Sequence, residues 1–299
     1  MRTILGWTLG VLCALLCGLI PVRTWAAPVP AGSAMAGYLS THPVLRVGVY
    51  DSGWPPFESV EQGRVRGLGP DLLELLAGAL GVRVQYVFHS DWNGVLDAAC
   101  RGEIDVVMNI AAGAGAPRCL VPTAAYASVP LALVGRTGDL RSSQRPDLAG
   151  LTVVTESDFL TGPRIGQRFP DARLTTATDT TAALRQVAAG AADVYVGNAH
   201  VADTLLAQKA ITGLELLRPS GMAEETLHFG VPPRAALLRE ALDDALAELS
   251  PQQRSALSAR WLRVPAWSGP ARGALDAAER RVLATPLRIG YPPNAAPLS

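Results

Sequence analysis

His42, His89, His200 and His228, with four cysteines, are the side chains in this sequence equipped to hold a metal, and their spacing does not converge. No CxxC pair and no Cys/His cluster occurs, so the ligand pattern of a zinc site is missing and neither a metal nor a cofactor is expected. Nucleophile and phosphate motifs are equally scarce, because GxSxG, HExxH and a P-loop do not occur. The Gly-rich run "AAGAGAP" at 111–117 follows a strand-like segment but leads into proline, which does not suit a dinucleotide cradle. Two of the cysteines, Cys13 and Cys17, lie in an N-terminal apolar run, which leaves Cys100 and Cys119 for the rest of the chain. In an oxidising compartment that pair invites a disulfide. The alternative is a buried free thiol, since Cys100 falls on a helix face that reads as apolar.

The N-terminus carries a targeting signal. Arg2 precedes an apolar run from Ile4 to Ile20, broken at Pro21 and followed by the small residues of "TWAAP". Thr24 and Ala26 fit the minus-three and minus-one positions of a cleavage site, so export to the periplasm with removal of residues 1–26 is expected. An uncleaved anchor is the alternative, weakened by Gly6, Gly10 and Gly18 within the run. Lipidation at Cys17 fits poorly, because bulky Leu16 precedes it. The whole chain has 299 residues, 49% of them hydrophobic, enough for one large two-lobed domain or two small ones. Lys plus Arg and Asp plus Glu number 26 each with no basic block, which gives no support to a nucleic-acid partner.

From residue 45 the pattern alternates strand and helix. "LRVGVY" is a strand; "GPDLLELLAGALG" is a helix with Pro70 in its first turn, Leu72, Leu75, Leu76, Ala79 and Leu80 on one face, and Gly81 as its stop. Strand "RVQYVF", helix "DWNGVLDAACRG" opened by Asp91 and closed by Gly102, and strand "IDVVMNI" complete a β-α-β-α-β unit. Such units form a parallel sheet with ligands at the carboxyl ends of its strands. A second set runs through strand "LTVVTES", a helix near 162–169, strand "ARLTTA", helix "DTTAALRQVAAG", strand "DVYVGN" and a helix from Ala199. Two extended stretches, "SVPLALVGR" and "TLHFGVPP", read as connections out and back. Helices from Arg234 to Leu249 and from Pro251 to Leu262 follow, the last opened by a capping box at Ser250 and Gln253.

One further pattern is a repeat. Leu45-Arg46-Val47-Gly48 returns as Leu287-Arg288-Ile289-Gly290, and Pro55 as Pro297, each copy following a proline, Pro43 or Pro286. The long interval between the two copies points to repeated whole domains and not to a solenoid; chance similarity between two strand starts is the alternative.

The ordered set "LRVGVYDSGWPPFE", "GLGPDLLELLAGALGV", Trp92, "GEIDVVMNI", "DLAGLTVVTES", "AAGAADVYVGN" and "ARWL" resembles the extracellular solute-binding proteins of the amino-acid-binding (family 3), Venus flytrap class, over residues 44–263. The resemblance implies an α/β fold of two lobes joined by a two-strand hinge, closing on a small solute without chemistry. With the repeat, the chain is most similar to the periplasmic part of BvgS-type hybrid sensor histidine kinases. That implies this division: signal peptide 1–26, linker 27–43, first lobe 44–134, second lobe 135–227, first-lobe return 228–264, linker helix 265–286, and the opening strand of a second, truncated flytrap domain at 287–299. The partners implied are a small organic solute, amino acid or carboxylate-like, the second flytrap domain and an inner-membrane kinase that could tether the protein. A free binder serving an ABC permease, and a ligand-free lever, are the alternatives.

The same resemblance locates a cleft. Amino-acid binders of the class place a Thr and an Arg after the strand matching "VVMNI" to clamp the ligand carboxylate; here that place reads "NIAAGAGAPRC", and its nearest basic residue, Arg118, is out of register. Where such binders hold the ligand ammonium with Asp, this chain has Asn198, which brings no counter-charge. Ordinary α-amino acids should bind weakly. The turn "TESDF" matches the class's anion-contacting turn, where backbone N–H groups and Ser157 can hold a carboxylate and Asp158 can cap the helix. Trp54, Phe57 and Trp92 lie at strand carboxyl ends, to sandwich a flat solute or to pack the lobe surface. Asn109 is a candidate polar contact. A few relatives in the class are dehydratases and others carry a peptidoglycan-cleaving domain; the former need a general acid, for which Glu58 is the candidate, and an exposed loop position is its simpler explanation.

Overall fold

The computed structural model describes residues 32–112, 119–157, 159–208 and 211–263, together with 30 and 265. The expected signal peptide, Arg118, Asp158, the linker helix and the repeated "LRIG" segment lie outside the described residues.

The first lobe opens with α1 (Ala34–Thr41), β1 (Val44–Tyr50), the hairpin of β2 (Ser59–Glu61) and β3 (Arg64–Arg66), and α2 (Leu68–Leu80). It continues through β4 (Arg83–His89), α3 (Trp92–Arg101), β5 (Val106–Ala111), β6 (Val121–Pro122) and β7 (Ala127–Val129). The second lobe holds β8 (Leu131–Arg136), α4 (Leu140–Ser143), β9 (Thr152–Glu156), α5 (Thr161–Arg168), β10 (Arg173–Ala177), α6 (Thr180–Ala188), β11 (Val194–Asn198), α7 (Ala199–Ala207) and β12 (Leu214–Pro219). The chain returns through β13 (Glu225–Val231), a 3-10 turn at Pro233–Ala235, α8 (Ala236–Ala247) and α9 (Pro251–Trp261).

The two sheets share a design. In one, the order is β4-β1-β5-β13-β6, with β7 also on β13; in the other it is β10-β9-β11-β8-β12. Strand β1 is parallel to β4 and β5 just as β9 is parallel to β10 and β11, and in each sheet the fourth strand runs antiparallel. The chain passes between sheets at Pro130, where proline cannot donate to either ladder, and again between β12 and β13. Strands β7 and β13 pair antiparallel beside that crossing, Glu225 opposite Val129, and form the two-strand hinge.

Local signals act as the sequence suggests at several ends. Gly81 and Gly102 close α2 and α3 in the left-handed conformation, Asp91 accepts from the Gly94 N–H, and Ser250 and Gln253 form the capping box. The buried face of α2 differs from the expected one: Leu73 and Ala77 join Leu72 and Leu76 inside, while Leu75 is half-buried. A helix turns 100° per residue, so a stripe in a leucine-rich run is easily misplaced by one position. The same shift affects Cys100. Val95, Ala98 and Ala99 carry the apolar face of α3, and Cys100 is exposed, bonded to Cys119 with a Cα–Cα distance of 5.4 Å. The buried-thiol alternative is therefore replaced by a disulfide.

Packing divides into three. One cluster fills the first lobe around Leu73, Leu76, Phe229 and Leu238, another lies in the second lobe around Leu133, Val153 and Phe169. The third runs from Val95 and Ile104 through Trp54 and Phe57 to Tyr195, Val201 and Leu205. That cluster crosses from lobe to lobe, so the two halves meet in the cleft.

Candidate functional site: the interlobe cleft

The cleft is built by loops at the carboxyl ends of β1, β5, β9, β10 and β11. The loop after β1 is tied into a tight turn: the Trp54 N–H donates to Glu58 O at 2.6 Å, and the Phe57 N–H donates to Trp54 O at 2.9 Å. The peptide between Pro55 and Pro56 is cis. Two early amides of α2 then donate to this loop, Leu68 N to Pro56 O and Gly69 N to Phe57 O. Gly67 permits that approach, since its φ is +138° and a Cβ there would collide with the Phe57 carbonyl.

The turn drives its aromatics inward. Trp54 is 7% exposed and Phe57 0%, with ring centroids 5.1 Å apart. Across the cleft, Trp54 meets Phe159 of the second lobe edge-on at 5.9 Å, and Phe57 meets His200 at 6.3 Å. Trp92, half-buried, packs edge-on against Tyr50 at 6.0 Å. Tyr50, Trp92, Trp54, Phe159 and Asp179 line a cavity of about 140 Å³. A larger one of about 330 Å³ separates Ser52, Trp54 and Pro55 from Asp179, Thr181 and Arg185.

Glu58 corrects its expected exposure. It is 1% exposed, because the turn directs it inward, where Oε1 accepts from the Tyr50 N–H at 3.4 Å and Oε2 from Asn109 Nδ2 at 3.1 Å. Burial pushes its carboxyl up to about 8 against these two hydrogen bonds, so at neutral pH it is mainly protonated. Asn109, in a left-handed conformation at φ 59°, also accepts from the Tyr126 hydroxyl at 2.6 Å, and that oxygen accepts from the Asn109 N–H at 3.1 Å. The Asn109 side chain is thus committed on its oxygen and on one amide hydrogen to the first lobe.

The second lobe mirrors this with Glu156, buried at the end of β9. It accepts from the Thr180 and Tyr195 hydroxyls through Oε1 and from Thr155 through Oε2, and burial raises its carboxyl. Ser157 is half-buried, and its N–H donates to Ala177 O at 2.7 Å, which leaves its hydroxyl as the group able to reach a solute. Asn198 is 3% exposed and caps α7, its Oδ1 accepting from the His200 and Val201 N–H groups at 2.9 and 3.2 Å.

What remains unmatched is informative. Trp54 Nε1 and Asn198 Nδ2, with His89 Nε2 at the end of β4, are buried side-chain atoms without a hydrogen-bond partner among the described residues. The first two are obligate donors on opposite lobes, and leaving such a donor dry costs about 1–3 kcal/mol each. Of the expected residues, Trp54 and Trp92 line the smaller cavity with Phe159, Phe57 and Asn198 are buried beside it without lining either cavity, and Asn109 is engaged with Glu58 and Tyr126; Phe159, His200, Glu58 and Glu156, not expected as ligand contacts, join the neighbourhood. Phe159 and Glu156 stand in the quoted "TESDF" turn itself; His200 carried no sequence signal beyond following Asn198. Among the described residues no group of His, Cys, Asp and Glu forms a metal site, and no helix is long and apolar enough to cross a membrane.

Paired lobes, a two-strand hinge and a lined cleft define a class, and the chain belongs to it: residues 45–264 match the bacterial extracellular solute-binding proteins, family 3. Among individual proteins, the chain is 27% identical over 224 residues to the virulence sensor protein BvgS of Bordetella bronchiseptica, a match covering 75% of this chain and 18% of that one. The chain thus spans about a fifth of the length of the curated relatives it matches. Two solved structures share the fold. The periplasmic VFT2 domain of Bordetella pertussis BvgS aligns with a TM-score of 0.71 at 20% identity, covering 78% of this chain and all of that one. A histidine kinase sensor domain with similarity to periplasmic binding proteins aligns with a TM-score of 0.67 at 24% identity, covering 76% of this chain and 99% of that one.

Proposed function

We propose that this chain is the periplasmic input part of a two-component sensor kinase, with a cleft that takes a small organic solute bearing a hydrogen-bond acceptor. The observation that carries the solute reading is the pair of buried donors, Trp54 Nε1 and Asn198 Nδ2, one on each lobe and without a partner among the described residues. Around them the walls are aromatic and the two buried acids are held toward their neutral forms, while Asp179 lines both cavities and Arg185 the larger one, so the cleft suits a solute of little net charge with a flat or apolar body. A cationic solute finds no ready counter-charge at Asn198. The sensory role is supported by the relatives that are named as sensors and by the second "LRIG" segment, which fits a second flytrap domain between this one and a membrane-bound kinase. Arg118 remains a candidate for meeting a carboxylate, Ser157 for a hydroxyl contact, and Trp92 for the side wall.

A thermal-shift screen of small carboxylates, amino acids and aromatic acids tests the reading. A ligand at 100 times its Kd stabilises by about 2.7 kcal/mol, which for a protein of this size raises Tm by several degrees, since 1 kcal/mol is worth about 2–4 °C. No shift with any member of the set counts against a binding role and favours a ligand-free lever.

A further inference from the structure

The last turn of α9 is held from both sides of the cleft. On the first lobe, Asp71 in the opening turn of α2 accepts from Trp261 Nε1 at 2.9 Å and pairs with Arg260 at 3.0 Å, both through Oδ2. On the second lobe, His200 near the start of α7 approaches the Arg263 carbonyl through Nδ1 at 3.0 Å. A carbonyl only accepts, so that contact requires the proton on Nδ1. Between these anchors the helix ends: the Leu262 N–H donates to Ser258 O at 2.7 Å, and Leu262 turns to extended backbone at φ −98°, ψ 107°. Leu257, Trp261 and Leu262 pack against the hydrophobic cluster that crosses the cleft.

This arrangement ties three things to one imidazole. The His200 ring touches Phe57 in the cleft loop of the first lobe. Its backbone N–H is bound by Asn198, whose amide nitrogen has no partner among the described residues. Its Nδ1 holds the chain as it leaves the flytrap.

We infer that His200 is a positioning residue that couples the angle between the lobes to the chain leaving at Arg263. Swinging the second lobe about the β7/β13 hinge carries His200 away from the Arg263 carbonyl, two residues beyond the Trp261 that Asp71 holds on the first lobe. The bond then breaks and frees the 261–263 segment, or pulls that segment with the moving lobe. Either way the state of the cleft is written into the position of the exit. The inference takes its purpose from the sensory reading above, but the contact itself does not depend on a solute.

Two measurements on the full chain, made without any ligand, test it. Nitrogen-15 NMR of labelled histidine in the wild type should show His200 as the Nδ1–H tautomer with a proton protected from exchange. An Nε2–H tautomer, or an unprotected Nδ1 proton, overturns the latch, and this result needs no variant to fold. Hydrogen exchange is then compared between the wild type and His200→Phe, which keeps a ring against Phe57 and removes the donor. Loss of one such bond predicts about 3- to 10-fold faster exchange at the 261–263 amides, with β1 and β9 unchanged; His200→Gln, which retains a donor, should restore part of the protection. Unchanged exchange at 261–263 in a His200→Phe protein with intact β1 and β9 overturns the coupling. A null ligand screen beside a protected Nδ1 proton would reject the solute reading and keep the latch, and the reverse pattern would do the opposite.

Discussion

Trp54 of the first lobe and Phe159 of the second meet edge to face with ring centroids 5.9 Å apart, while the indole Nε1 of the same Trp54 has no partner among the described residues. The residue that joins the lobes is also short of a hydrogen bond, and the two properties can be separated by mutation.

Trp54→Phe keeps a ring in the bridge and deletes the stranded donor. The free protein should be unchanged or more stable by up to about 1 kcal/mol, since removal of an unsatisfied donor offsets part of the packing loss. Affinity for an acceptor-bearing solute should fall. Trp54→Ala should instead lower stability by about 3–5 kcal/mol, or open the lobes to relieve the void. Thermal melts and small-angle scattering distinguish the two variants.

Asn198→Asp tests the opposite wall. Aspartate caps a helix as well as asparagine does, so the melting temperature should stay within a few degrees. The substitution deletes the free donor and supplies a negative charge, so binding of an anionic solute should weaken while that of an amino-bearing one improves. Competitive titration of the two ligand types would show it, and parallel loss of both would refute this assignment of Asn198.

The Glu58 carboxyl fixes a pH dependence. Its value is about 8 in the folded chain against 4.5 for an unperturbed group. Between these values the folded state holds a proton that the unfolded state has lost, so stability falls as pH rises, with a slope of at most about 1.4 kcal/mol per unit from this residue. The melting temperature should therefore decline from pH 5 to pH 8. Glu156 and Glu225, also raised by burial, act in the same direction. Glu58→Gln keeps an acceptor for Asn109 and should flatten the profile without abolishing it.

Reduction of the Cys100–Cys119 disulfide, which spans 19 residues of sequence, should cost about 3 kcal/mol by the loop-entropy argument. Because Cys100 is exposed, reductant should reach it in the folded chain. Melts with and without dithiothreitol, and of a Cys100→Ser/Cys119→Ser variant, should agree.

Much of the fold was legible because its signals are local. Asp91, Gly81, Gly102, Ser250 and Gln253 mark helix ends through bonds that span three or four residues, and strands such as "LTVVTES" announce themselves by β-branched runs. The family resemblance supplied the two-lobed closure, which no local pattern states. The errors have a common origin in geometry that spacing does not encode. The helix faces of Cys100 and Leu75 differ from the expected ones because neighbouring positions on a helix are 100° apart, although the Cys100–Cys119 pairing was a stated candidate. Glu58 reads as a loop residue, and is one, yet the backbone turn from Trp54 to Glu58 directs its carboxyl inward to the Tyr50 N–H and Asn109. His200 and Phe159 acquire their roles only when the second lobe is set against the first, so their partners, 143 and 105 residues away at Phe57 and Trp54, could not be paired by pattern.

The most direct test of the account is a calorimetric titration of the full chain with the strongest ligand from the carboxylate and aromatic-acid set, repeated on Trp54→Phe. Saturable one-site binding in the wild type, weakened about 10- to 100-fold by loss of the indole donor, is the predicted result. Binding that is indifferent to Trp54→Phe, or no binding by any member of the set, would contradict a cleft built around that donor.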